Sequence, residues 1–249
     1  MVATVNHFAL TIEKLTVSFD GFKAVDDVSL YVEKGELRVV IGPNGAGKTT
    51  LLDLICGKTR PTGGAIRFND RELTGLAEQK IVRAGVGRKF QTPSIYPKLS
   101  VFENLEISFP KGKGVIGSLF FKRSQQVIKR INEIAEMIFL QEEMDTTAEL
   151  LSHGQKQWLE IGMLLIADPE LLLLDEPVAG MTVREREQTA DLLRRISAGR
   201  SVVVIEHDMN FVRKIADRVT VMHQGKVLAE GSMDYVESKP EVIEVYLGH

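Results

Sequence analysis

The stretch I-G-P-N-G-A-G-K-T-T, Ile41 to Thr50, decides the fold. Leu37, Val39, Val40 and Ile41 make a short apolar, β-branched run ahead of it, and Lys48 to Ile55 behind it has helical composition. The glycines therefore stand between a strand and a helix. Gly42, Gly45 and Gly47 permit backbone geometry that a Cβ would hinder, so successive N–H groups converge on anionic oxygens at a helix N-terminus. In such a loop Lys48 reaches the β- and γ-phosphates of a nucleotide and Thr49 offers its hydroxyl to Mg²⁺.

A second stretch supplies the acids. Leu171 to Leu174 is a continuous apolar run suited to a strand buried on both faces of a parallel sheet, and Asp175 and Glu176 stand at its carboxyl end, where ligands bind in open α/β sheets. The pairing assigns Asp175 to the magnesium shell and Glu176 to the attacking water. Ser201 to Glu206 reads as another buried strand, with His207 directly after it. Ser152 and Gln155, in L-S-H-G-Q, fit an S-x-x-Q capping box ahead of an apolar helical run. Thr182 and Glu185 form a T-x-x-E box opening the next helix.

These residues closely resemble the ATP-binding subunits of ABC transporters, over nearly the whole chain. The implied fold is α/β: a P-loop NTPase (RecA-like) core with an N-terminal antiparallel β subdomain and an inserted α-helical subdomain. The resemblance makes Gly42 to Thr49 the Walker A loop, Gln91 the Q-loop glutamine, Leu151 to Gln155 the signature, Asp175 with Glu176 the Walker B pair and His207 the switch histidine. It assigns nucleotide contacts to Phe19, through stacking on adenine, to Gly42, Asn44, Gly45, Ala46, Gly47, Lys48, Thr49 and Thr50, to Gln91, and to Ser152, Gly154 and Gln155 of a facing subunit. It gives the metal to Thr49, Gln91 and Asp175, and catalysis to Lys48, Glu176 and His207. Two positions depart from the family pattern. His153 replaces the first glycine of L-S-G-G-Q, and Thr182 stands where an aspartate is common.

Within the family, S-H-G-Q-K-Q-W-L-E-I-G-M and D-E-P-V-A-G-M-T look most like ATPases of the hydrophobic amino acid and amide uptake group, especially the urea-type importers. The implied cargo is urea and short amides or branched-chain amino acids. The implied partners are two multi-span permeases, a second ATPase subunit and, indirectly, a periplasmic or extracellular binding protein, with the chain peripheral on the cytoplasmic face of the inner membrane. Lipopolysaccharide or lipid exporters share the same compact plan, and a soluble ABC-type ATPase is the reading from another class.

Bulk properties agree. The 249 residues, 44% of them hydrophobic, suffice for one α/β domain. A net charge of -3 gives no electrostatic case for nucleic acid, and Lys80 to Arg88 reads as a solvated basic face. The lone Cys56 excludes an internal disulfide and reads as a small buried apolar residue. No apolar run is long enough to span a membrane. Short strands are expected over 8 to 36 with a turn at Asp20-Gly21, and an amphipathic helix over Val127 to Ile138. The single domain divides into a nucleotide-binding core, 1–90 and 160–249, and a helical subdomain, 91–159. Within the latter, Leu119, Phe120 and Phe121 read as packing residues.

Overall fold

The computed structural model describes residues 7–89, 94–110 and 124–247. Gln91, Leu119, Phe120 and Phe121 lie outside them. In chain order the first elements are β1 (Phe8–Phe19), β2 (Phe22–Glu33), β3 (Leu37–Ile41), α1 (Lys48–Ile55), β4 (Gly63–Phe68), β5 (Arg71–Glu72), α2 (Glu78–Arg83) and β6 (Val86–Lys89). Helices α3 (Val101–Ile107), α4 (Gln125–Met137) and α5 (His153–Ile166) follow. The chain then runs through β7 (Leu171–Asp175), α6 (Val183–Ser197), β8 (Ser201–Ile205), α7 (Met209–Ile215), β9 (Arg218–His223), β10 (Lys226–Gly231), α8 (Met233–Glu237) and α9 (Pro240–Leu247).

Two compact units result. The first comprises residues 1–88, 170–177 and 193–249. It holds an antiparallel sheet of order β2-β1-β4-β5 and most of a second sheet of order β10-β9-β3-β8-β7-β6. Strands β3, β7, β8 and β9 run parallel, and every residue of β3, β7 and β8 is buried. That double-sided burial explains why these strands read as continuous apolar runs. The strands over 8 to 33 are not short: β1 and β2 have 12 residues each. Register shifts break their ladder at several points, and such irregularities add the bend and twist that let long strands wrap a core. Asp20 (φ 48°) and Gly21 (φ 89°) turn the hairpin, both left-handed as a two-residue turn between twisted strands demands.

Arg38 interrupts the apolar pattern of β3 and is fully buried. Its Nε donates to Glu36 Oε1 at 2.5 Å, Nη1 to Thr220 Oγ1 at 2.9 Å and Glu230 Oε2 at 2.7 Å, and Nη2 to the Tyr31 carbonyl at 2.8 Å. One guanidinium thus joins β2, β3, β9 and β10, its charge compensated by two carboxylates. The basic stretch expected to be a solvated face is only partly so. Lys80 and Arg83 are exposed, but the Arg88 side chain is 6% exposed and lies 2.5 Å from Asp53 Oδ1 on α1. It also donates to Cys56 Sγ at 2.9 Å, so Cys56 is buried as expected yet serves as an acceptor.

The second unit comprises residues 89–169 and 178–192. Helix α5 of this unit runs unbroken from His153 to Ile166. Helix α4 buries Val127, Ile131, Ile134 and Ala135, the face its periodicity predicts. Gly162 of α5 admits the neighbouring helices closely: a Cβ there would lie 2.5 Å from Ile138 Cδ1 and 3.1 Å from Leu105 Cδ2. Trp158 buries its ring beside Phe139 and donates Nε1–H to Thr189 Oγ1 at 2.8 Å, which satisfies its one polar atom. Lys89 and Glu160, both buried, approach to 3.5 Å.

Candidate nucleotide site and signature helix

In the first unit, β3 delivers the chain into the glycine loop and α1 begins at Lys48. Gly47 has φ 98°, and a Cβ there would lie 2.4 Å from the Ala24 carbonyl oxygen; one on Gly42 would lie 2.2 Å from that of Met222. Both positions therefore require glycine. Gly225 N–H donates to the Ala46 carbonyl at 3.0 Å, and Asp26 N–H to the Gly225 carbonyl at 2.8 Å. The loop is thereby pinned between the β1–β2 hairpin and the β9–β10 turn. Asn44, Gly45 and Thr49 are exposed, Ala46 is buried, and Thr50 is half-buried. Phe19 keeps 48% of its surface exposed at the end of β1, which excludes a role as a core aromatic and leaves a ring face free for stacking.

Lys48 Nζ donates to the carbonyls of Gly42 at 2.7 Å and Pro43 at 3.0 Å. Burial lowers its pKa, an effect opposed by the carboxylates of Glu176 and Asp175. The half-buried ammonium is thus held by two main-chain oxygens within the field of two acids. Asp175 is 3% exposed at the end of β7.

Glu176 follows with φ 46°, its N–H donating to the Ile205 carbonyl at 3.0 Å. A left-handed glutamate costs energy and persists because neighbouring contacts impose it, a pattern found at functional sites. Strand β8 lies between β3 and β7, so His207 emerges between the phosphate loop and the acids. Its Nδ1 lies 3.8 Å from Glu176 Oε1 and 3.9 Å from Glu206 Oε2. Glu206 is 1% exposed and accepts from the His207 N–H at 3.1 Å. In the sequence this residue reads only as the end of a strand.

The signature lies in the second unit. Ser152 caps α5: its Oγ accepts from the Gln155 N–H at 3.2 Å, and Gln155 Oε1 accepts from the Ser152 N–H at 2.9 Å. The expected capping box is present, and so is the one at α6. Thr182 Oγ1 accepts from the Glu185 N–H at 3.3 Å, and Glu185 Oε2 accepts from the Thr182 N–H at 2.8 Å. The two boxes meet. Ser152 Oγ donates to Glu185 Oε1 at 3.1 Å, and a Cβ on Gly154 would fall 2.3 Å from that oxygen. The Thr182 N–H in particular holds the Glu185 carboxyl below its usual range, with help from the hydroxyls of Thr182 and Ser152.

His153, the departure from the family signature, places Nε2 3.0 Å from the Ala179 carbonyl oxygen. The same nitrogen lies 3.3 Å from Gln157 Nε2 one turn along α5. Gly180 (φ 71°) seats the ring, since a Cβ there would lie 3.1 Å from His153 Cδ2. The histidine thus ties the signature to the loop after the Walker B acids.

A glycine loop between strand and helix, with two acids on a parallel strand one removed, defines a P-loop nucleotide hydrolase. Residues 25–179 match the family model described as ABC transporter, and the chain belongs to that family as an ATP-hydrolysing subunit. It is 36% identical over 248 residues to the high-affinity branched-chain amino acid transport ATP-binding protein LivG of Salmonella typhimurium, covering 96% of this chain and 97% of that one. The BraF protein of Pseudomonas aeruginosa, described in the same words, matches with the same identity and coverage. Among solved structures, an ATP-binding cassette of an ABC transporter in its ADP conformation superposes with a TM-score of 0.85 at 33% identity, over 97% of this chain and 99% of that one. A nucleotide-free cassette gives 0.84 at 32% identity, over 97% and 100%.

Proposed function

We propose that this chain powers import of branched-chain amino acids, or of urea and short amides, through separate permeases, by closing with a second ATPase subunit around ATP. Near-full-length similarity to ATP-binding proteins named for branched-chain amino acid transport carries this reading. Urea and short amides are the second cargo class, favoured by the S-H-G-Q-K-Q-W-L-E-I-G-M stretch with its docked His153. Among the described residues no helix is long and apolar enough to cross a membrane, so the pore would come from two multi-span partners on whose cytoplasmic side the chain sits.

Lys48 and the loop amides would grip the β- and γ-phosphates from one side, and Ser152 with the α5 N-terminus of the facing subunit from the other. Thr49 and Asp175 would hold Mg²⁺; no cluster of three or more acids, histidines or cysteines able to cage a metal occurs among the described residues, as suits an ion completed by phosphates and water. When bound, that ion would neutralise phosphate charge. Glu176 orients the attacking water and accepts its proton, while His207 steadies the γ-phosphate.

Affinity purification of the tagged chain from detergent-extracted native membranes tests the assembly. Recovery of two permeases and a second ATPase is expected, with uptake of labelled leucine and urea then deciding the cargo. Recovery from the soluble fraction alone would overturn the transport reading.

A further inference from the structure

The contact between Ser152 and Glu185 has no part in gripping ATP. A serine hydroxyl carries one proton, and that of Ser152 is given to Glu185 Oε1 at 3.1 Å. The same carboxylate lies against Gly154, and its other oxygen is held by the N–H and hydroxyl of Thr182 at 2.8 Å each. An anion therefore already occupies the N-terminus of α5, where positive backbone dipoles favour one.

We infer that Glu185 is a phosphate-mimicking latch, competing with the γ-phosphate of the facing subunit's ATP for Ser152 and so setting the ATP concentration at which the dimer closes. The inference rests on the proposed sandwich, in which Ser152 faces phosphate. Closure then requires the Ser152 proton to swing from carboxylate to phosphate and the two anions to separate. Thr182 belongs to the same device. An aspartate in its place would add a second negative charge beside Glu185, whereas threonine donates its hydroxyl and holds the latch carboxylate in place.

The test is the ATP dependence of hydrolysis by the assembly purified from membranes. Glu185→Gln keeps the acceptor for Thr182 but removes the charge, and the half-saturating ATP concentration should fall about five- to tenfold. A purely structural lesion would raise that concentration, so a fall separates the two roles. Glu185→Asp, whose shorter side chain withdraws from Ser152 while still capping α6, should move it in the same direction. Unchanged or raised half-saturation in both variants would overturn the latch. Ser152→Ala in the same preparation tells the readings apart. Loss of turnover there with no shift in the Glu185 variants defeats the latch alone, and undiminished turnover defeats the sandwich as well.

Discussion

Glu176 Oε1 and His207 Nδ1 stand 3.8 Å apart at the ends of neighbouring parallel strands. Asp175 pairs with Ile205, so Glu176 follows that pair by one residue and His207 by two, and Glu176 adopts a left-handed backbone conformation. At this distance the two side chains are neighbours without a direct hydrogen bond. His207→Ala should lower turnover about ten- to a hundredfold while ATP still binds; steady-state hydrolysis with a parallel nucleotide-binding assay checks this, and unimpaired turnover would contradict it.

Under the proposed function, Lys48 would exchange its contacts with the Gly42 and Pro43 carbonyls for phosphate. Lys48→Ala should weaken ATP binding about ten- to a hundredfold, the worth of a charge-assisted hydrogen bond. Calorimetric titration reads this directly, and the thermal midpoint of the free protein should not fall, because burial of the ammonium already lowers its pKa.

Arg38 is a structural charge. Arg38→Met removes the partner of Glu36 and Glu230 and should cost about 3–5 kcal/mol of stability. Urea unfolding measures it; a loss below about 1 kcal/mol would mean that water or rearrangement compensates the two acids.

The glycine loop between strand and helix, the buried strand ending at Asp175 and both capping boxes are legible because each depends on local spacing: a glycine geometry, an apolar run, a cap three residues long. Arg38 is not, since its acceptors on Glu230 and Thr220 come from far along the chain and a charge inside an apolar run gives no sign of where its compensation lies. Arg88 reads as solvated for the same reason, since its partner Asp53 lies on α1. The Ser152–Glu185 contact spans two boxes that were each readable, but only the fold brings them together. Phe19 at the end of β1 is exposed, whereas an aromatic at a strand end reads from sequence as core or as platform.

Acid should protonate Glu185 later than an ordinary surface glutamate, because its hydrogen bonds favour the ionised form. Its folded pKa lies below the ordinary 4.5, so the linked stability is complete above that value and is lost as pH falls through the depressed one. The neighbouring charge of His153 acts in the same direction. Glu185→Gln should therefore flatten the decline of Tm below pH 4.5 relative to the unaltered protein. Equal slopes in a pH series of thermal melts would contradict the assignment.

The most direct measurement of the central claim is single-turnover hydrolysis of radiolabelled ATP by Glu176→Gln beside the unaltered protein. The variant should bind and retain ATP while cleaving it at least about a hundredfold more slowly, accumulating closed dimer. Hydrolysis at the unaltered rate would show that the acid at the end of β7 does not serve the attacking water.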